Sequence, residues 1–360
     1  MSIHQVNFSF KPNINKLILR AVACSFTKIL ENHMRYNLNI RSVITVVIGC
    51  TLGSMCHADL PLTIESLTTD KGRFKLDTTV SYFNQNNSNL LSQGSSVIDL
   101  GNGSIITIPN LPTEGTVNTD TIVGTVGLRY GISEAWEIGV KANGLILDQR
   151  QENDGKVSSQ SDTRLQDISL TTQYQFTRNH KRLPDSLVFS ELSLYDNTSG
   201  FKKEAASSIT VGSTVYTVND PIALSLTGIY QHNNDRKIVN VPKGFPDQVN
   251  IGDILSVSGS VAFAVNPDIT LNTGVGWRMI EGDKFLDTDD DRATRTETSL
   301  NVGMAYALTE RSNLTANLRT DVSGDSGSTL SLGMTTKLGK LPPPISQQYR
   351  KHKERSNLNN

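Results

Sequence analysis

Apolar and polar residues alternate strictly along Asp120–Leu147. In its first arm Ile122, Gly124, Val126, Leu128 and Tyr130 interleave with Val123, Thr125, Gly127 and Arg129. Successive side chains of a strand point to opposite faces, so a period of two predicts one apolar face and one largely polar face. After a tight turn, Gly131–Glu134, the second arm sets Trp136, Ile138, Val140, Ala142 and Ile146 against Glu137, Lys141 and Asn143. Tyr130 and Trp136 flank the turn, where aromatic side chains suit a membrane–water interface.

The same pattern recurs down the chain. The first strand is expected at Arg73–Phe83, with Phe74, Leu76, Val80 and Tyr82 outward and Lys75, Asp77, Thr79 and Ser81 inward. Beyond the opening hairpin, strands are expected at Leu165–Phe176, Ser186–Tyr195, Ser208–Val218, Ile222–Gln231, Ile254–Val265 and Ile269–Met279. Glu297–Ala307, Asn313–Val322 and Ser328–Leu338 bring the total to twelve. Gly131–Glu134, Asn219–Pro221, Asn266–Asp268 and Leu308–Arg311 are short connections. The intervening ones, apart from Ser323–Gly327, are long and polar: Asn84–Thr119, Asp148–Thr163, Asp196–Ala206, His232–Asn250 and Glu281–Arg295. Within the first of these, Ser104–Ile108 reads as a small hairpin extension above the membrane. An even number of strands joined alternately by short turns and long loops predicts an all-β, twelve-stranded antiparallel transmembrane β-barrel with both termini in the periplasm. A soluble sandwich has no need of that alternation. Backbone groups at an open sheet edge find no partner in lipid, so strand twelve is expected to close on strand one.

Composition agrees with this reading. Hydrophobic residues make up 37% of the 360, and no run of 18 or more apolar residues occurs past residue 60, which excludes helical spanning there. All three cysteines (Cys24, Cys50, Cys56) lie before residue 59, so the remainder has no disulfide framework, thiol nucleophile or thiolate metal site. Residues 1–58 carry six basic groups and one acidic one, leaving 28 Lys+Arg against 34 Asp+Glu in the rest, a net of −6. With no basic patch interleaved with aromatics, a nucleic-acid partner is not expected.

Arg35 and Arg41 precede the apolar run Ser42–Met55, and Cys56-His-Ala58 places small residues at a cleavage site. This predicts a signal peptide over residues 34–58, cut between Ala58 and Asp59. The run is short for a membrane anchor, and a lipoprotein box at Val47–Cys50 would leave a stub of apolar core. Residues 1–33 form an unusual extension, and translation is expected to start at Met34. Residues 59–72 read as a periplasmic lead-in with a short helical turn, 73–338 as the barrel. The run Leu341-Pro-Pro-Pro344 cannot extend a strand, so residues 339–360 read as a Pro-rich, basic periplasmic tail. Its Arg350, Lys351, Lys353 and Arg355 are charges that an acidic partner would meet.

LPLTIESLTTDKGRFKL from Leu60, TDTIVGTVGLRYGIS in the first hairpin, and SVAFAVNPDITLNTGVGWR and RTDVSGDSGSTLSLGM near the end carry a family likeness. Over residues 60–338 the chain resembles the proteobacterial outer-membrane proteins of the phenol meta-pathway degradation, transporter-like family. The resemblance implies a barrel passing small molecules, aromatic ones among them, and brings no functional residues with it. Outer-membrane lipid, a small solute and the barrel-assembly machinery are the implied partners. Such barrels commonly end on an aromatic residue read by that machinery, whereas this chain runs on into the tail.

Candidate chemistry is confined to charges expected to face the lumen: Lys75, Asp77, Arg129, Glu137, Lys141, Asp167, Glu191, Arg278, Arg319, Asp321 and Lys337. At six basic to five acidic they imply no strong ion selectivity. They form either a charged constriction steering solutes or a network of ion pairs bracing a narrow barrel. Asp287–Asp291 lacks the Gly and terminal Glu of a calcium loop and reads as a solvated acidic loop. His180, His232 and His352 sit in a turn, a loop and the tail, and none is placed beside a nucleophile. Gly324–Gly327 reads as a hairpin turn rather than a hydrolase motif. No catalytic residue, metal site or cofactor is expected. Three readings remain: a passive channel for small solutes, aromatic or hydrophobic ones among them; a closed structural barrel whose loops or tail bind a partner in the cell envelope; and an enzyme hydrolysing lipid, which is not expected.

Overall fold

The computed structural model describes residues 68–87, 96–101, 104–108, 116–153, 156–177, 184–239, 247–285, 293–323 and 327–339. The predicted leader, most of the lead-in, the tail beyond residue 339 and the acidic run Asp287–Asp291 lie outside these residues. The described chain begins β1 (Phe74–Asn87), β2 (Ser96–Gly101), β3 (Ser104–Ile108), β4 (Thr116–Gly131), β5 (Trp136–Asn153) and β6 (Lys156–Thr177). It continues through β7 (Asp185–Asp196), β8 (Ser208–Asn219), β9 (Ile222–Asn233), β10 (Arg236–Lys237), β11 (Gln248–Asn250) and β12 (Ile254–Ala264). Last come β13 (Ile269–Ile280), β14 (Lys284–Phe285), β15 (Arg295–Ala307), β16 (Ser312–Asp321) and β17 (Ser328–Leu338).

Twelve of these close a barrel in the order β1-β17-β16-β15-β13-β12-β9-β8-β7-β6-β5-β4, with β4 returning to β1. The seam runs antiparallel from Phe74↔Leu338 to Asn84↔Ser328, so no edge is left over this stretch. Outward side chains are apolar and uncovered: Val80, Val126, Leu226 and Val302 are each more than half exposed. Phe74, Tyr130, Trp136, Tyr174, Phe263 and Tyr306 ring the outer face at the end where the strands meet in short turns, and Tyr82, Tyr230 and Trp277 stand near the other end. The inner face is polar, with Ser81, Glu137, Asn143, Arg278 and Ser331 buried. This inside-out distribution reverses that of a soluble barrel.

Several connections differ from expectation. Asp148–Thr163 is not a loop: β5 and β6 stay paired from Ile146↔Thr163 out to Asn153↔Lys156. Past the apolar band both faces are polar, so the alternation that reveals a strand disappears while backbone pairing continues. Gln166 is squeezed out of register between Asn143 and Gly144 and turns inward, 2% exposed, while Leu165 turns outward. The connections after β9 and β13 also carry structure, since β10, β11 and β14 form a small three-stranded sheet.

The larger correction concerns residues 96–108. β2 and β3 do form a hairpin, but it lies inside the barrel, not above it. Ile98, Ile106 and Ile108 pack on the inward residues Phe83, Val123 and Leu145 of β1, β4 and β5. Val97 and Ile105 pack on Ile254 and Ile280 of β12 and β13. A polar segment with an apolar core has more to gain in the lumen than in water, because the inward apolar residues near the loop end bury only against it.

Candidate functional site: the filled lumen

Even and odd positions separate the two faces, and all eleven charged candidates stand at inward positions. At the turn end, Arg129 of β4 pairs with Asp77 of β1 through two bonds of 2.6 and 2.9 Å and reaches Glu137 of β5 at 3.0 Å. The Thr335 hydroxyl donates to Asp77 at 2.8 Å. Lys75 is buried, in register with both Arg129 and Lys337. Into this mouth comes the chain ahead of β1: Thr68 and Thr69 are buried, and the Thr69 amide donates to Glu137. Gly131 is needed here, because a β-carbon would lie 2.3 Å from the Asp70 carbonyl oxygen. The described part of the lead-in bends through a turn closed by the Arg73 amide on the Asp70 carbonyl at 3.1 Å and is bridged to the barrel at Lys71↔Gly131, while the expected helical turn falls largely on residues outside those described.

Midway up, Lys141 of β5 pairs with Glu191 of β7 over the inner face of β6 at 2.5 Å. Asn143 donates to both oxygens of Asp167 at 2.8 and 3.0 Å. On the opposite wall Arg278 of β13 pairs with Glu297 of β15 and stands 3.9 Å from Asp321 of β16. Arg319 of β16 lies 3.7 Å from Asp321. The candidates therefore form three groups: Lys75, Asp77, Arg129, Glu137 and Lys337; Lys141, Asp167 and Glu191; Arg278, Arg319 and Asp321.

The internal hairpin ties the upper two groups together. Asp99 pairs with Arg319, Ser104 accepts from Lys141 and donates to Glu191 at 3.4 Å, and Thr107 accepts from Gln231 of β9 at 3.2 Å. One short hairpin thus touches β5, β7, β9 and β16, which lie far apart around the barrel. Asp99, Ser104 and Thr107 were invisible to a reading based on alternation. Glu297 was within its reach, being inward by the parity of β15. Among the described residues no group of three or more His, Cys, Asp or Glu side chains is placed to hold a metal ion.

Outside the wall the loop end carries its own contacts. Asp253, just before β12, accepts from the Tyr230 hydroxyl, the His232 ring at 2.9 Å and the Asn233 amide at 3.0 Å. Partial burial opposes its charge, yet these bonds hold the Asp253 carboxyl below its ordinary value.

Residues 87–334 match the model of the family described as "Putative MetA-pathway of phenol degradation". The chain belongs to this family. No curated protein matches the sequence. Among solved structures, an outer membrane channel from Pseudomonas putida F1 is similar, with a TM-score of 0.51 and 14% identity over 75% of this chain and 97% of that one. The transport unit of the autotransporter AIDA-I from Escherichia coli follows at 0.48 and 10%, covering 78% and 95%. A mutant of the monoaromatic hydrocarbon channel TodX gives 0.38 and 10%, covering 76% and 91%. At these identities the likeness to the Pseudomonas channel establishes a shared barrel fold.

Proposed function

We propose that this family member is an outer-membrane barrel that passes small solutes passively, and that its resting lumen is closed by the β2–β3 hairpin. The observation that carries the reading is the two-sided wall: an apolar outer face between aromatic rings, and a polar inner face filled by a separable hairpin. Only a bilayer suits such an exterior, and export there needs the signal peptide read at residues 34–58. The short turns and the two chain ends of the barrel then face the periplasm, and the loop end faces outward. A purely structural barrel would have no need of a polar lumen whose plug is one hairpin on its own connections. The family description makes small aromatic molecules the first solutes to test, alongside ions.

Planar-bilayer recording of the refolded mature chain, Asp59–Asn360, tests the reading. Rare discrete current steps are expected, becoming frequent when residues 96–108 are replaced by a short Gly-Ser linker. A folded barrel silent in both forms would refute the channel and favour the closed structural barrel with partner-binding loops or tail.

A further inference from the structure

The hairpin touches two walls that face each other. In the ring of twelve strands β5, β6 and β7 stand six places from β13, β15 and β16 respectively. Lys141, Asp167 and Glu191 line the first wall, and Arg278, Arg295, Arg319, Glu297 and Asp321 line the second. Asp99 and Ser104 flank the end of the hairpin, where Gly101 pairs with Ser104. Ser104 bonds to Lys141 and Glu191, while Asp99 sits on Arg319. The end of the hairpin thus spans the bore between the two walls.

Charge on the second wall balances only with the hairpin in place. Its three arginines stand against two carboxylates, and Asp99 supplies the third. Asp321 lies 3.9 Å from Arg278 and 3.7 Å from Arg319, and Glu297 bonds to Arg278 and Arg295. Arg278, its side chain 3% exposed, still keeps a buried Nη1 with no hydrogen-bond partner. Withdrawal of the hairpin takes Asp99 from Arg319 and leaves one positive charge in excess, in a bore that screens charge less than open water does. The planar fork of a guanidinium matches a carboxylate, and the group now seated on it is chemically an acetate carried on a chain. A dianion would set its second charge against Asp321 and Glu297, and a neutral molecule would leave the excess uncompensated.

We infer that Arg319 is a binding site for a small monocarboxylate and that Asp99 is its built-in occupant. When the hairpin withdraws, a solute carboxylate takes the place of the Asp99 carboxylate on Arg319 and holds the lumen open. This rests on the reading that the hairpin closes the channel, and names what opens it. Seated hairpin and bound carboxylate compete for one guanidinium.

Cysteine accessibility on the hairpin tests it, since the chain beyond residue 58 has no cysteine and Ile98 is fully buried under the seated hairpin. Ile98→Cys in the exported chain, folded in micelles, should react with a maleimide only while the hairpin is out. Potassium acetate is expected to raise the labelling rate saturably, about tenfold at ten times its dissociation constant, because it binds only the hairpin-out state. Potassium chloride at equal ionic strength and acetamide at equal concentration should do far less. Arg319→Gln, added to Ile98→Cys, removes the seat of both competitors, so it should label faster than its parent and ignore acetate. Asp99→Asn should label faster and keep the acetate response. Chloride matching acetate, no saturable rise with acetate, or an acetate response that survives Arg319→Gln overturns the site. Conductance of the same preparations keeps the two readings apart. Current steps with labelling indifferent to acetate sink the site alone, and acetate-dependent labelling of a silent barrel sinks the channel alone.

Discussion

Asp99→Asn removes one charge from the latch between hairpin and wall and leaves its shape almost unchanged. Losing one member of a fully buried ion pair costs about 3–5 kcal/mol, and an exposed pair is worth about 0–1 kcal/mol. The Arg319 and Asp99 side chains are 18% and 16% exposed, between these limits, and Arg319 keeps Asp321 at 3.7 Å. The expected loss is therefore about 1–2 kcal/mol. Against it stand Val97, Ile98, Ile106 and Ile108, none more than 8% exposed, each contributing roughly 1.5–3 kcal/mol by burial. The apolar term wins, so the hairpin stays seated in most molecules. Since 1.4 kcal/mol is a factor of ten, the hairpin-out population should rise about 5–30-fold. Single-channel recording reads this as open fraction. Raising the salt concentration should lift the open fraction of the wild type more than that of the variant, because only the wild type has the latch to screen. An open fraction within about twofold of wild type would refute the latch. Complete loss of closure would refute the claim that apolar contacts hold the hairpin.

Val126 is 55% exposed at mid-strand on the outer face of β4, so Val126→Arg should cost about 2–4 kcal/mol in a bilayer. Reversible urea unfolding from lipid vesicles measures it, and an unchanged midpoint would mean that this face is wet. At the loop end the depressed Asp253 carboxyl stabilises the folded mouth above its ordinary value of 3.8, and this contribution is lost as the pH falls through the lower folded value. Amide exchange at Asn233, whose N–H donates to Asp253, should quicken relative to distant strand amides below about pH 4. In Asp253→Asn that extra acid sensitivity should vanish, and its persistence would place the titrating group elsewhere.

Much of the candidate site was legible because a strand has only two faces. Once Lys75 and Asp77 are set against Leu76 and Val80, parity assigns Arg129, Glu137, Arg278 and Asp321 by the same rule. What parity leaves open is which charges meet. Arg129 and Asp77 are neighbours across paired strands, but Lys141 and Glu191 belong to β5 and β7, with β6 between them. That contact depends on barrel curvature and side-chain length. Strand ends were harder, since β5 and β6 run on where both faces are polar. Asp99 and Ser104 lay in a polar stretch with no periodicity, and nothing local announces that it turns inward.

The sequence by itself determined the twelve strands, their order and their two faces, because alternation is a short-range property set by the pleat and by the contrast between an apolar exterior and a polar lumen. Only the tertiary structure decided what fills that lumen. The hairpin lodges there because Phe83, Val123, Leu145, Ile254 and Ile280, distant in sequence, line one wall once the barrel has closed.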